Sequence, residues 1–546
     1  VKEALIRYKI SELEYFLFRG GLKMSLELVK ESIRINNMIG EETAQTIVEH
    51  DIIVPDTNPD AVRILLMDGE VFERSSEVLQ DRVAVNGTIR YKILYISDEE
   101  NNAIRSITAN NDFLYNLDVL NAKYGMKANV NCDIEHVDYE ILYGRKVKVK
   151  AIVKIDAKVT EEVEQDFVNN LEGLEDIEIL KNNADVNSYM GENNAHCNIN
   201  ESMEIPAGKP TIKEILRSDV KIVGKDYKLS DNKVIAKGDL NILTLYIADD
   251  EERSIQFMEH EVPFTQFIDI QGIDEGCECE VDYRVLNYTF KPGEDNDGEL
   301  RVLSGDIELL IKAQAYEKRQ VDVIADAYSL SRKLSIEQKS FSSKRVICRE
   351  KNQINLKETV VIDGDNPEIA EVFNVLSKPS MFECNAANGS INIEGAVNNS
   401  ILYVAKNSEQ PVFCYDYEIP FKQNIEVSEL DPNMDCEVDL DVEHCNYSMI
   451  SANDVEIRVI INVYVEVIDN VEIPLVSKVT DNAIEDKKGD CPSITIYFSQ
   501  PDDTMWKIAK KYYTTVEDIK KVNNLSEDDN ITPGQQVMIP RKSSAS

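Results

Sequence analysis

Three segments of the chain share five landmark residues at nearly constant spacing, and this repeat constrains the fold more than any other feature. The landmarks are Pro59, Gly87, Tyr95, Phe113 and Tyr139 in the first copy, Pro210, Gly238, Tyr246, Phe264 and Tyr288 in the second, and Pro367, Gly395, Tyr403, Phe421 and Tyr447 in the third. The first three intervals are 28, 8 and 18 residues in every copy, and only the last varies, at 26, 24 and 26. The chain therefore contains one structural unit three times.

Each copy is long enough to be a domain, because the landmark glycines are 151 and 157 residues apart. Stretches such as Lys146–Val159 and Val455–Ile468 alternate apolar and polar residues and are rich in β-branched types, which predicts half-buried strands. A glycine inside such a strand predicts a bulge, a close backbone approach or a positive φ. The tyrosine eight residues later should lie on the same face of the strand.

The stretches between the copies lack alternation, and we expect short helices or connectors there. The residues before the C-terminal unit mix charge with glycine and proline, which indicates a linker. The predicted organisation is an N-terminal segment 1–48, repeats 49–160, 201–329 and 357–480, connectors 161–200 and 330–356, a linker 481–493 and a C-terminal unit 494–541.

The start of the sequence suggests a hypothesis about the gene. The first methionine is Met24, and Arg19-Gly20-Gly21 precede it, whose codons can spell a ribosome-binding site. We expect residues 1–23 to be leader and the native protein to begin at Met24.

Composition limits the partners. With 59 basic and 100 acidic residues the net charge is -41, which would repel nucleic acid and anionic membranes. No apolar run has the length of a membrane helix, and the N-terminus lacks the layout of a secretory signal. Ten scattered cysteines fit a reducing compartment without disulfides. We expect a cytosolic protein that does not insert into membranes.

The residues indicate no enzyme. The five histidines do not cluster, and the sequence has no nucleophile elbow, P-loop or dinucleotide-binding motif. Cys277 and Cys279 lack the second pair that a zinc site needs. The acidic runs 249–252 and 527–529 are interpreted as exposed turns rather than calcium loops. We therefore predict no catalytic residue, no metal and no cofactor.

The C-terminal unit differs from the repeats because it is neutral, with seven basic and seven acidic residues from Ser493 onward. Its pattern predicts the order strand, helix, helix, strand. Thr504 should cap the first helix, and Thr514 or Thr515 the second. Pro533-Gly534 should form the turn before the last strand.

This unit resembles the LysM domain family. The matching residues are Tyr497, Asp503, Thr504, Trp506, Ile508 and Ala509, then Asn523, Asn524 and Leu525, then Pro533, Gly534, Val537, Ile539 and Pro540. The resemblance implies a binding groove between two loops, for N-acetylglucosamine polymers in most members. Carried over, the groove residues are Asp502, Asp503, Thr504 and Met505, facing Asn524, Leu525, Ser526, Asn530 and Ile531.

Two positions bear on whether this groove binds a sugar. Asp502 stands where the family has glycine, which adds a charge and a Cβ where the glycan approaches. Trp506 is a candidate sugar platform or a helix-packing residue, and we favour packing.

The repeats resemble the SPOCS domain, and tandem SPOCS domains with one C-terminal LysM domain resemble the SipL family of clostridial spore coat morphogenetic proteins. The expected fold class is therefore mainly β, with three SPOCS-like domains and a small βααβ LysM domain. The resemblance implies a non-enzymatic adaptor in the mother-cell cytoplasm at the forespore surface and in the spore coat. Its implied partners are the coat ATPase SpoIVA and other coat proteins.

Three functions compete: this adaptor, a peptidoglycan-binding protein of the wall or cortex, and a wall hydrolase targeted by its LysM domain. The adaptor is favoured because no export signal and no catalytic constellation is visible. We expect Asp502, Asp503, Met505, Asn524 and Leu525 to contact a protein partner. Leu525 has an alternative, packing in the core with Ile508, Val516, Ile519 and Val537.

Overall fold

A computed structural model describes residues 26–99, 103–250, 254–362, 366–387, 389–406, 412–427, 430–431, 433–483, 494–526 and 531–540. The hypothesis about a leader over residues 1–23 lies outside the described residues.

Each repeat consists of six strands. The first contains β1 Glu27–Ile53, β2 Ala61–Leu79, β3 Arg82–Ser97, β4 Ile104–Asp118, β5 Lys127–Tyr143 and β6 Lys146–Glu172. The second contains β7 Ile177–Glu204, β8 Ile212–Ser230, β9 Lys233–Ala248, β10 Ile255–Asp269, β11 Glu278–Gly293 and β12 Val302–Ser329. The third contains β13 Arg332–Val361, β14 Ile369–Ala387, β15 Ser390–Ala405, β16 Val412–Glu426, β17 Asp435–Met449 and β18 Asp454–Ala483. The C-terminal unit contains β19 Ile494–Phe498, α1 Met505–Tyr512, α2 Val516–Asn523 and β20 Gln536–Pro540.

The six strands of a repeat form two antiparallel three-stranded sheets, packed face to face. In the first repeat the strand orders are β1-β6-β5 and β2-β3-β4, and the other repeats follow the same scheme. The alternating residues of the last strand, from Val147 to Val159, point into the space between the sheets and are buried. The predicted mainly β fold with a βααβ C-terminal unit is confirmed.

The predicted helices and connectors between the copies are wrong. Residues 161–200 form the end of β6 and most of β7, and residues 330–356 lie mostly in β13. The N-terminal segment 1–48 likewise contains most of β1. These strands are held by backbone pairing to a neighbour, and many of their side chains on both faces are at least partly exposed, so apolar alternation is weak. A boundary at 201 would cut β7.

The landmark glycine and phenylalanine are cross-strand partners in every repeat. The pairs are Gly87 with Phe113, Gly238 with Phe264, and Gly395 with Phe421. A Cβ on Gly238 would lie 2.9 Å from Phe264 Cζ and 3.3 Å from the carbonyl oxygen of Val223. The expected close approach and bulge are confirmed, since the neighbouring strand shifts register between Val223 and Asp226. A positive φ, the alternative reason for a glycine here, does not apply, because Gly238 is not among the described glycines with positive φ.

The other landmarks tie a loop to the sandwich. The buried hydroxyl of Tyr95 donates to the Pro59 carbonyl, and that of Tyr246 to the Pro210 carbonyl, both at 3.0 Å. The irregular last interval also has an explanation. Phe290 pairs with Gly305, the fourth residue of β12, as Tyr139 pairs with the fourth residue of β6. Phe290 rather than Tyr288 therefore occupies this position in the second repeat.

The three repeats close on one another. β4 contacts β8, β10 contacts β14, and β16 contacts β2. Equivalent residues of all three repeats share one hydrophobic cluster, among them Leu65, Leu216 and Phe373, then Leu94, Leu245 and Leu402. The repeats are therefore arranged around a pseudo-threefold axis.

A cavity of about 1030 Å³ lies where the long strands of the three repeats meet. Three equivalent cross-strand pairs line it, Lys158–Glu41 at 3.1 Å, Gln314–Glu192 at 2.7 Å and Arg349–Glu466 at 3.0 Å. Each pair also receives a partner from the preceding repeat, in Glu437–Lys158 at 2.7 Å, Lys127–Glu192 at 2.5 Å and Glu280–Arg349 at 2.8 Å. These contacts link the repeats in a ring.

Candidate functional site

The C-terminal unit folds because its helix ends are satisfied locally. Thr504 Oγ1 accepts the Lys507 N–H at 3.2 Å and caps α1. Thr515 Oγ1 accepts the Asp518 N–H at 3.0 Å and caps α2. Asn524 ends α2 in the left-handed conformation, with φ 53°. The predicted caps are confirmed, with Thr515 rather than Thr514 at the second helix.

The predicted turn at Pro533-Gly534 is also present. The Gln535 N–H donates to the Thr532 carbonyl at 3.1 Å, and Gly534 has φ +82°. Proline followed by a glycine of positive φ is typical of a type II turn. Ser499 Oγ donates to the Thr532 carbonyl at 2.5 Å, so this turn is tied to the end of β19.

Several apolar residues that were predicted at the groove lie in the core of the unit or pack against it. Ile508, Ile519 and Val537 are buried as expected, with at most 1% exposure. Met505 lies in the same cluster and is 9% exposed, which removes it from the set of surface contacts. Leu525 and Ile531 are half-buried and pack against this core, so Leu525 follows the packing alternative.

The first loop holds its shape through Asp503. One carboxylate oxygen accepts the Tyr497 hydroxyl at 2.6 Å and the Gln500 N–H at 2.7 Å. The hydrogen bond from Tyr497 has the larger effect in lowering the pKa of Asp503, and the hydrogen bond from Gln500 lowers it further. Asp502 is exposed, and its backbone carbonyl accepts from Lys507 Nζ at 2.9 Å. Asp503 thus stabilises the loop, while the side chain of Asp502 presents an exposed negative charge.

The second loop offers fewer groups. Asn524 and Ser526 are exposed, and Asn530 lies outside the described residues. Of the eight predicted groove residues that the structure describes, those that present exposed side chains are Asp502, Thr504, Asn524 and Ser526.

The contact that the sequence did not reveal joins α1 to the second repeat. Trp506 Nε1 donates to Asp326 Oδ2 at 2.8 Å, and Lys510 Nζ pairs with the same carboxylate at 2.6 Å. The ring of Tyr328 meets the Trp506 ring edge to face, with centroids 4.8 Å apart. Trp506 is therefore a packing residue, as favoured, but its partner is another domain rather than its own helix.

Other chemistry is sparse in the described part of the chain. No group of three or more His, Cys, Asp and Glu there could hold a metal ion. The nine cysteines described are free thiols, and burial raises the pKa of several, including Cys279 to about 12. Among the residues described, no helix is both long and apolar enough to cross a membrane.

Fold and site together define a protein of tandem β-sandwich repeats that carries a small βααβ binding domain at its C-terminal end. The SPOCS domain of SipL matches residues 60–142, 211–292 and 368–450, and the LysM domain matches residues 500–540. The chain thus has the SipL architecture, three SPOCS domains followed by one LysM domain. Each SPOCS match spans the four central strands of a repeat, and the long outer strands flank it.

A further similarity is local. The spore coat assembly protein ExsA of Bacillus cereus is 47% identical over 49 residues, which are 9% of this chain and 8% of ExsA. No solved structure matches the chain.

Proposed function

We propose that this chain is a non-enzymatic spore coat assembly protein that acts as an adaptor. The observation that carries the proposal is the combination of three SPOCS domains with one LysM domain, since both are binding or structural modules. The local similarity to a protein named for spore coat assembly supports the same process. The ring of repeats would supply a rigid body and the LysM domain a recognition surface.

The finer proposal is that the LysM domain binds the coat ATPase SpoIVA and so anchors the coat at the forespore surface, in the mother-cell cytoplasm. The contacts are assigned to the exposed loop groups of Asp502, Thr504, Asn524 and Ser526, with Asn530 as a further predicted member. Asp503, Leu525 and Ile531 would hold these loops in shape.

A charge reversal at Asp502 tests this assignment with the full chain and purified ATPase. Asp502→Lys changes an exposed side chain and should weaken binding by roughly fivefold or more, because a complementary charge is lost. Glu517→Lys is the matched control, since Glu517 is exposed on the same domain and pairs with Lys521 along α2. Equal affinities of both variants and the unaltered chain would remove Asp502 from the interface.

The alternative function is binding of peptidoglycan or another N-acetylglucosamine polymer, which the presence of a LysM domain favours. Asp502 at the glycine position and the coverage of Trp506 by the second repeat weigh against it. Sedimentation of the full chain with purified peptidoglycan distinguishes the two: co-sedimentation without ATPase binding would favour the glycan.

A further inference from the structure

Two residues of α1 and one residue just after it contact the end of β12. Trp506 and Lys510 both contact Asp326, and the Tyr328 hydroxyl donates to the carbonyl of Thr514 at 2.8 Å. Positions 506 and 510 are one turn apart, so they share one face of α1, and Thr514 follows the end of the helix. The second repeat therefore covers the face of α1 that carries Trp506 and Lys510.

Tyr328 belongs to the core of the LysM domain rather than to that of its own repeat. It is 3% exposed and clusters with Met505, Ile508, Ala509 and residues of α2 and β20. A buried tyrosine adds apolar area and needs a partner for its hydroxyl, which Thr514 supplies. Burial raises the pKa of Tyr328, so this hydroxyl stays a donor.

The register of the long strands shows that only the second repeat has this pair. The last strand of every repeat skips one residue opposite the first strand, at positions 169, 325 and 477. Counted from that bulge, the residues equivalent to Asp326 are Asn170 and Lys478, and those equivalent to Tyr328 are Glu172 and Thr480. At these two positions, neither the first nor the third repeat has a carboxylate together with an aromatic ring.

We propose that the end of β12 is a docking site for the LysM domain of the same chain, selected by Asp326 and Tyr328. Docking covers the face of α1 that carries Trp506 and Lys510. Another protein would therefore bind at the loops that contain Asp502 and Asn524. The assignment of these loops to another protein rests on the proposed function, whereas the docking does not.

Trp506 is the only tryptophan of the chain, so intrinsic fluorescence of the full chain reports this contact directly. In Asp326→Ala and Tyr328→Ala, undocking should expose the indole, shift its emission to the red and raise the Stern–Volmer constant for the neutral quencher acrylamide. The matched controls are Asn170→Ala and Lys478→Ala, which alter the equivalent positions and should leave both readings unchanged.

Several results would overturn the proposal. They are unchanged emission and quenching in both docking variants, equal changes in the controls, or readings of the unaltered chain that depend on its concentration, which would place the contact between two molecules. Asp326→Asn and Tyr328→Phe preserve side-chain volume and serve if an alanine variant misfolds by circular dichroism. Because no partner is present, failure here is separate from failure of ATPase binding.

Discussion

The hydrophobic cluster shared by the repeats predicts that truncating Leu245 weakens all three. Leu245 on β9 is 7% exposed, and its equivalents Leu94 and Leu402 are each 3% exposed. Replacing a buried leucine by alanine removes contacts and leaves a cavity, at a cost of about 2 to 5 kcal/mol. Because the cluster joins three repeats, Leu245→Ala should lower the free energy of opening in the first and third repeats as well as in the second.

Hydrogen exchange of the full chain, followed by mass spectrometry, measures this spread. A loss of about 2 kcal/mol corresponds to roughly 30-fold faster exchange where exchange follows the opening equilibrium, and we expect it in β3 and β15 as well as β9. Leu240→Ala is the matched control, because Leu240 lies on the same strand, is fully buried, and packs in the core of the second repeat.

The reasoning would be refuted if both variants accelerated exchange only within β7–β12. The three repeats would then open independently, and the shared cluster would not couple them.

Three further perturbations have expected outcomes. Gly238→Ala should destabilise the second repeat by about 0.5 to 2 kcal/mol in thermal melts, since overpacking outweighs the gain in strand propensity; adding Phe264→Leu should recover part of this loss, and additive losses would contradict the close approach. Burial would raise the pKa of Asp68, but the neighbouring cations lower it well below its usual range. The stabilisation that the ionised carboxylate of Asp68 provides is therefore present above about pH 4 and lost as the pH falls further. Asp68→Asn should accordingly flatten the fall of the melting temperature below pH 4. Thr515→Ala should cost the LysM domain about 1 kcal/mol and speed exchange in α2, and unchanged exchange would show that the cap is dispensable.

What the sequence could predict was what recurs or follows local rules. The glycine and phenylalanine at constant spacing are constrained because they face each other across β9 and β10 and their counterparts. The helix caps and the Pro533-Gly534 turn obey short-range geometry and were found for that reason. Met505 was misplaced because a methionine beside a loop gives no sign of which way it points.

Contacts between distant elements had no such signal. The outer strands β7 and β13 carry polar residues on both faces, so periodicity could not reveal them. Asp326 lies 180 residues before Trp506, and nothing near either residue identifies the other. A comparison of equivalent positions in the three repeats would have shown that Asp326 and Tyr328 are peculiar to the second, but it needs the register of the bulge.

The charges around the central cavity also set the order in which the repeats meet. Glu280 of the second repeat pairs with Arg349 of the third, and Glu437 of the third pairs with Lys158 of the first. The equivalent of Lys158 in the second repeat is Gln314, because their cross-strand partners, Glu41 and Glu192, each follow their strand bulge by two residues. If the second repeat followed the third around the axis, Glu437 would meet Gln314 and Glu192 instead of Lys158 and Glu41. Two carboxylates would then lie together without the lysine between them, and like charges brought together at an interface cost several kcal/mol. The charges around the cavity therefore favour one order of the three repeats around the axis.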